Sequence, residues 1–106
     1  MRVLLDEQPP FDLSAEFPGH LVHTVVSRGW AGIKNGDLLR CMSGQYDVLV
    51  TMDRRIKFQH RVAALPLGTV VVHARSNRMQ DLKPLVPSIV GAHRRDRSRL
   101  VQHITA

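Results

Sequence analysis

The chain is predicted to fold as one α/β domain with a small parallel sheet and helices on both faces. Short apolar runs that indicate buried strands alternate with segments of helical periodicity. The 106 residues match a single domain, and an apolar content of 43% is enough for a core. Because strands that alternate with helices form parallel βαβ units, we expect one sheet within a single domain over residues 1–106.

The first half of the chain predicts three strands. Residues 3–5 are apolar and form the first strand, and a proline then begins a helix that runs to about residue 17. Residues 21–26 are apolar and β-branched and indicate a second buried strand. Asn35 is expected to cap a helix over residues 36–44, which is followed by a third strand over residues 46–51.

The second half repeats this alternation. Residues 54–65 place apolar side chains on one helical face and basic ones on the other. Residues 69–73 indicate a fourth strand, and residues 79–92 have helical spacing that two prolines interrupt. The basic C-terminal segment, residues 94–106, contains an alternating stretch at 100–104 that predicts a short edge strand.

The charge of the chain points to an anionic partner. The formal net charge is +6 and the pI is about 10.7, with basic clusters at residues 54–61, at Arg75 and Arg78, and at residues 93–99.

No apolar run approaches the ~18 residues that a membrane span needs, and the N-terminus lacks the pattern of a signal peptide. We therefore expect a cytoplasmic protein without membrane association.

Acidic residues follow two of the predicted strands. Asp6 and Glu7 come directly after the first strand, Asp53 follows the third, and Asp37 stands in the first turn of the helix between the second and third strands. Because the carboxyl ends of parallel strands share one edge of a sheet, these acids are expected to lie close together. Such a cluster of carboxylates suits Mg²⁺ or Mn²⁺, with basic residues nearby to hold a phosphate backbone.

Other chemistries have little support in the sequence. The six histidines show no pair at the helical spacing of zinc ligands, and no glycine-rich phosphate-binding motif is present. Cys41 is expected to be buried beside Leu38, and Ser76 has no nucleophile-elbow context. Trp30 lies in a loop, where it can pack against the core, stack on a base or contact a partner.

Four stretches of the chain resemble the short bacterial PIN-like proteins, which belong to the wider PIN nuclease group. They are LLDE, GWAGIKNGDLL, DVLVTMDRR and VVVHARSNR, and the resemblance covers about residues 1 to 93. It implies a three-layer PIN-like fold, cleavage of RNA with Mg²⁺ or Mn²⁺, and membership among the toxins of toxin–antitoxin pairs.

By position, the resemblance assigns Asp6, Asp37 and Asp53 as the catalytic and metal-binding carboxylates. Glu7 is a further candidate metal ligand. The supporting polar residues after the fourth strand are Ser76 and Asn77. The candidate contacts to the RNA backbone are Arg54, Arg55, Lys57, Arg75 and Arg78. The resemblance also implies a cognate antitoxin protein and a homodimer.

Two alternatives remain open at this stage. Asp37 stands where the family often has the longer Glu, and no acid occupies the position after the fourth strand. The chain is therefore either an active ribonuclease or a catalytically weak PIN-like module that binds RNA or protein. An acid pair after the first strand and Asp53 after the third also fit a phospho-accepting receiver domain, although Lys83 follows Ser76 too closely for the receiver pattern.

Overall fold

In the computed structural model, the described residues are 2–33, 35–42, 44–53, 68–95 and 101–105. The strands are β1 (Arg2–Leu5), β2 (Leu21–Thr24), β3 (Val48–Thr51), β4 (Gly68–His73) and β5 (Val101–Thr105). The α-helices are α1 (Asn35–Met42), α2 (Met79–Leu82) and α3 (Val86–Arg95), and two 3-10 helices span Phe11–Glu16 and Lys83–Leu85. No helix in this described part is long and apolar enough to cross a membrane.

All five strands are parallel and form one sheet in the order β2-β1-β3-β4-β5. This confirms the predicted α/β class, the parallel sheet and the edge strand near the C-terminus. From β1 the chain continues to β2 on one side, and from β3 it continues to β4 on the other. The switch in strand order therefore lies between β1 and β3, where ligands of open parallel sheets commonly bind.

Helices cover both faces of the sheet because successive strand residues point to opposite sides. On one face Val3 and Leu5 pack with the first 3-10 helix and with α2 and α3, through fully buried side chains such as Leu13 and Ile89. On the other face Leu4 packs against α1. Burial of each such side chain contributes about 1.5–3 kcal/mol, which makes these two apolar clusters the main source of stability.

Helix α1 presents one buried face to the sheet. Leu38 and Met42 are four residues apart, lie on the same face and are completely buried. The expectation that Cys41 is buried is wrong, because this residue is rotated by about 100° from Met42 and is exposed. Gly44, two residues after the helix ends, has a φ of +83°, which a side chain would disfavour.

Several predicted boundaries differ from the structure. Strand β2 ends at Thr24 rather than at residue 26, because Ser27 exchanges hydrogen bonds with Thr24 and turns the chain. The helix predicted up to residue 17 is a 3-10 helix, and Asn35 is the first residue of α1 rather than a residue outside it.

The two prolines divide the helical region near the C-terminus into three pieces. Pro84 lies in the 3-10 helix that separates α2 from α3, and Pro87 lies at the second position of α3. At that position the missing amide has no partner within the helix, so proline is tolerated. The helix predicted over residues 54–65 lies outside the described residues.

The amino-terminal edge of the sheet carries an acid of its own. Asp47 precedes β3 and accepts hydrogen bonds from the backbone amide of Arg2 at 2.6 Å and from its guanidinium at 3.2 Å. These hydrogen bonds lower the pKa of Asp47 below its usual value. Asp47 therefore helps to fix the start of β1 and lies at the opposite end of the strands from Asp6.

Candidate functional site

The candidate site lies at the switch point, where β1 and β3 end side by side. Asp6 is the first residue after β1, and its amide donates to the carbonyl oxygen of Val50 on β3 at 2.9 Å. The parallel pairing thus extends one residue beyond β1 and holds Asp6 next to the end of β3. Asp6 is only 8% exposed, so its carboxylate is held largely out of solvent.

A buried threonine links the two predicted acids. The hydroxyl of Thr51, which has no exposed surface, donates to Oδ2 of Asp6 at 2.6 Å. Oγ1 of Thr51 also accepts a hydrogen bond from the amide of Asp53 at 3.0 Å. Because the single hydroxyl proton points to Asp6, Thr51 orients that carboxylate and positions the chain at Asp53. Thr51 thus connects the carboxylate of Asp6 to the backbone amide of Asp53, and the approach of the two carboxylates stays a prediction.

The second carboxylate oxygen of Asp6 has a different partner. Oδ1 accepts a hydrogen bond from the amide of Glu7 at 2.8 Å. Each oxygen of an ionised carboxylate can accept about two hydrogen bonds. Asp6 therefore keeps acceptor capacity for a cation or a ligand donor after both of these hydrogen bonds are made.

Asp6 opens into a pocket of about 460 Å³ at this edge of the sheet. The pocket is lined by Asp6, Glu7, Gln8, Pro9, Pro10, Phe11, Thr24, Val26, Ser27 and Asn77. Phe11 and Val26 are 67% and 64% exposed. The pocket thus combines the carboxylates of Asp6 and Glu7 with two apolar side chains that are open to solvent.

Glu7 has a structural role at the rim of the pocket. Its Oε1 accepts a hydrogen bond from the amide of Gly32 at 2.8 Å. Gly32 belongs to the loop that follows β2, so Glu7 ties this loop to the end of β1. The carboxylate predicted as an additional metal ligand is occupied, in part, by this contact.

An aromatic cluster on the α1 side of the sheet holds the same loop in place. The guanidinium of Arg28 stacks over the ring of Trp30, 4.5 Å from its centroid, and donates to the hydroxyl of Tyr46 at 2.8 Å. That hydroxyl also lies 2.6 Å from Nδ1 of His23. Trp30 packs against the α1 side of the core, so of its three possible roles the structure supports packing.

The loop after β4 closes the pocket from the other side. Nδ2 of Asn77 donates to the carbonyl oxygen of Gln8 at 2.9 Å, which connects this loop to the one after β1. The hydroxyl of Ser76 donates to Oδ2 of Asp81 in α2 and accepts from the amide of Arg78. Asn77 therefore lines the pocket directly, whereas Ser76 holds the start of α2.

Asp37 is placed at the same end of the sheet but its carboxylate is engaged elsewhere. It lies in the first turn of α1, and its side chain is 65% exposed. Its Oδ1 accepts from the guanidinium of Arg40, one turn further along the same helix, at 3.1 Å. Asp37 is absent from the lining of the pocket that contains Asp6.

The predicted basic contacts are only partly described. Arg75 and Arg78 are exposed on the loop after β4, next to the polar residues that reach the pocket. Arg54, Arg55 and Lys57 lie outside the described residues. Neither Arg75 nor Arg78 lines the pocket, although both are close in sequence to Asn77, which does.

The carboxylates fit a divalent cation only as an open site. Within the described ranges, no three His, Cys, Asp or Glu side chains are grouped so that they could hold a metal ion. Mg²⁺ is commonly bound by one or two carboxylates, and water and substrate phosphates complete its coordination. Asp6 supplies one such carboxylate in the pocket. Asp53, whose amide Thr51 holds, would be the second ligand of such an ion, although it does not line the pocket.

Two contributors were not predicted from the sequence. They are Thr51, the last residue of β3, and Asp81 in α2. Thr51 could have been found from its position, because it is a threonine at the end of a buried strand and lies two residues before an acid. Asp81 comes five residues after Ser76, and only the fold of the intervening turn brings the two together.

No protein-family model, curated protein or solved structure matches this chain. The resemblance to PIN-like proteins therefore stays a prediction.

Proposed function

We propose that the chain is a PIN-like, Mg²⁺- or Mn²⁺-dependent ribonuclease and the toxin of a toxin–antitoxin pair. The observation that carries the proposal is the Asp6–Thr51–Asp53 arrangement at the switch point of the sheet. It holds a largely buried carboxylate at the position where open parallel sheets bind ligands. A cation at Asp6 and Asp53 supplies positive charge that stabilises the transition state of phosphodiester cleavage.

The surroundings of the acids support RNA as the substrate. Phe11 and Val26 provide an exposed apolar surface beside Asp6, which suits stacking of an unpaired base. Arg75 and Arg78 are exposed on the loop beside the pocket and suit contacts to phosphates. The net charge of +6 favours the approach of a polyanion from any direction.

The decisive test compares two Asp→Asn variants of the full chain. Asp6→Asn keeps the shape of the side chain but weakens its interaction with a cation, so cleavage of a mixed RNA pool in Mn²⁺ or Mg²⁺ should fall about a hundredfold or more. Asp12→Asn is the matched control, because Asp12 is exposed on the 3-10 helix and does not line the pocket. Equal cleavage by wild type and Asp6→Asn, or cleavage that continues in EDTA, would contradict the proposal.

The toxin role has its own test in cells. Induced expression of the wild-type chain should stop growth of a bacterial host, whereas Asp6→Asn should be tolerated at the same protein level. If the wild type and Asp6→Asn both stop growth, toxicity does not depend on the acidic site. If cells tolerate the wild-type chain although it cleaves RNA in vitro, the protein is a nuclease but not a toxin.

A catalytically weak PIN-like module is the second candidate. It is favoured by the side chain of Asp37, which pairs with Arg40, and by the lack of a three-ligand group among the described residues. It predicts RNA binding that survives neutralisation of Asp37 and Asp53, with little turnover in either metal. Fluorescence anisotropy of a labelled RNA with these variants distinguishes it from the nuclease.

The strand order is consistent with a receiver domain, but the sequence of the last strand is not. The order β2-β1-β3-β4-β5 is also found in phospho-accepting receiver domains. A receiver needs a lysine at the end of a late strand, and β5 has the sequence VQHIT, without lysine. Incubation with a small phosphodonor, followed by intact mass, should therefore leave Asp53 unmodified.

A further inference from the structure

Two histidines that are 30 residues apart in sequence meet on the sheet. His73 is the last residue of β4, and His103 lies in the middle of β5. In the parallel register His103 is opposite Val71, so both histidines project from the face on which Val71 packs. Nε2 of His73 and Nδ1 of His103 share a hydrogen bond at 2.7 Å, and the ring centroids are 4.9 Å apart.

This separation is close to that of two ligands on one metal ion. Imidazole nitrogens bind first-row transition metals at about 2.0–2.1 Å. Two such nitrogens in neighbouring positions of a square-planar or octahedral ion, at about 90°, are roughly 2.9 Å apart, whereas tetrahedral positions are roughly 3.4 Å apart. The observed 2.7 Å is nearest to the 90° arrangement, which Cu²⁺ and Ni²⁺ prefer.

We infer that His73 and His103 form a two-imidazole site for Ni²⁺ or Cu²⁺, separate from the acidic pocket. Metal binding replaces the hydrogen bond between the rings, and the rings turn so that both nitrogen lone pairs point to the ion. His103 is exposed and His73 is half-buried, so water can occupy the other coordination positions. A bound ion joins β5 to β4 and thereby ties the edge strand to the sheet. The site does not depend on the proposed nuclease function.

The test uses untagged full-length protein and Ni²⁺ as the probe. The wild type should bind one Ni²⁺ per chain by calorimetry, and its melting temperature should rise by roughly 12 °C at a Ni²⁺ concentration about 100-fold above Kd. His73→Asn and His103→Asn should each weaken binding about tenfold or more and remove about half or more of the thermal shift. His20→Asn is the matched control, because His20 lines a groove between the first 3-10 helix and α3, on the opposite face of the sheet.

A second measurement on the wild type guards against variants that do not fold. Cu²⁺ bound at the site should show hyperfine splitting from two nitrogens in its electron paramagnetic resonance spectrum, and from fewer in His103→Asn. Two coordinated nitrogens, lost with His103 but kept in the His20 variant, support the site. Equal Ni²⁺ affinity in wild type and His103→Asn, or a single coordinated nitrogen in the wild type, would overturn it.

Discussion

The hydroxyl of Thr51 allows the candidate site to be tested by removal of a single oxygen atom. Thr51→Val keeps the shape of the side chain but leaves Oδ2 of Asp6 and the amide of Asp53 without this partner. A hydrogen bond to a charged group contributes about 1.5–3 kcal/mol and a neutral one about 0.5–1.5 kcal/mol. Because Asp6 keeps slight contact with solvent, water replaces part of this loss. We expect a net destabilisation of about 2–3 kcal/mol, or a fall in melting temperature of roughly 10 °C.

The neighbouring strand offers a matched control. Thr69 is also buried in the sheet, but its hydroxyl has no hydrogen-bond partner within the described residues. Thr69→Val should therefore be neutral or slightly stabilising, since it removes an unsatisfied polar atom. Urea unfolding followed by fluorescence of the single tryptophan measures both variants, and Thr51→Ser should recover most of the stability. If Thr51→Val and Thr69→Val differ by less than about 0.5 kcal/mol, the hydroxyl of Thr51 does not hold the site together.

Three further perturbations test other parts of the structure. Tyr46→Phe removes the hydroxyl to which Arg28 donates and should cost about 1–3 kcal/mol in urea unfolding; an unchanged midpoint would show that this contact is dispensable. Asp47→Asn should cost about 1 kcal/mol or less, because its contact with Arg2 is partly exposed. The pKa of Asp47 is lowered, so its stabilisation is full well above the usual value of 3.8 and is lost as the pH falls through the folded value; a difference in melting temperature that persists at pH 2 would contradict this. Glu7→Ala should speed proteolysis of the loop after β2 with less than about 1 kcal/mol of global destabilisation, and unchanged cleavage would argue against the anchoring role of this carboxylate.

Much of the fold could be predicted because its signals are local. The apolar residues of β1, β3 and β4 are buried on both faces, and such strands are recognisable as continuous apolar runs. The alternation within β5 was sufficient to predict an edge strand. The early end of β2 was missed, since the turn between Thr24 and Ser27 depends on side-chain hydrogen bonds that apolar periodicity does not reveal.

The candidate site was predicted only in its outline. Asp6 and Asp53 were expected at one edge because each follows a buried strand, and the pairing of β1 with β3 brings their backbones together. The direction of the Asp37 side chain could not be predicted in the same way. An exposed carboxylate on a helix can turn toward the sheet edge or toward a cation one helical turn away, and here it contacts Arg40.

The sequence by itself determined the α/β class, the location of the strands and the presence of acids at their carboxyl ends, because apolar patterning and turn residues act between near neighbours in the chain. Tertiary structure alone decided the strand order, the hydrogen bond between Thr51 and Asp6, and the meeting of His73 with His103. Parallel neighbours are joined by long crossovers, so residues that are partners across the sheet are 19 to 45 positions apart. No local pattern records such a separation, and it is these distant contacts that assemble the candidate sites.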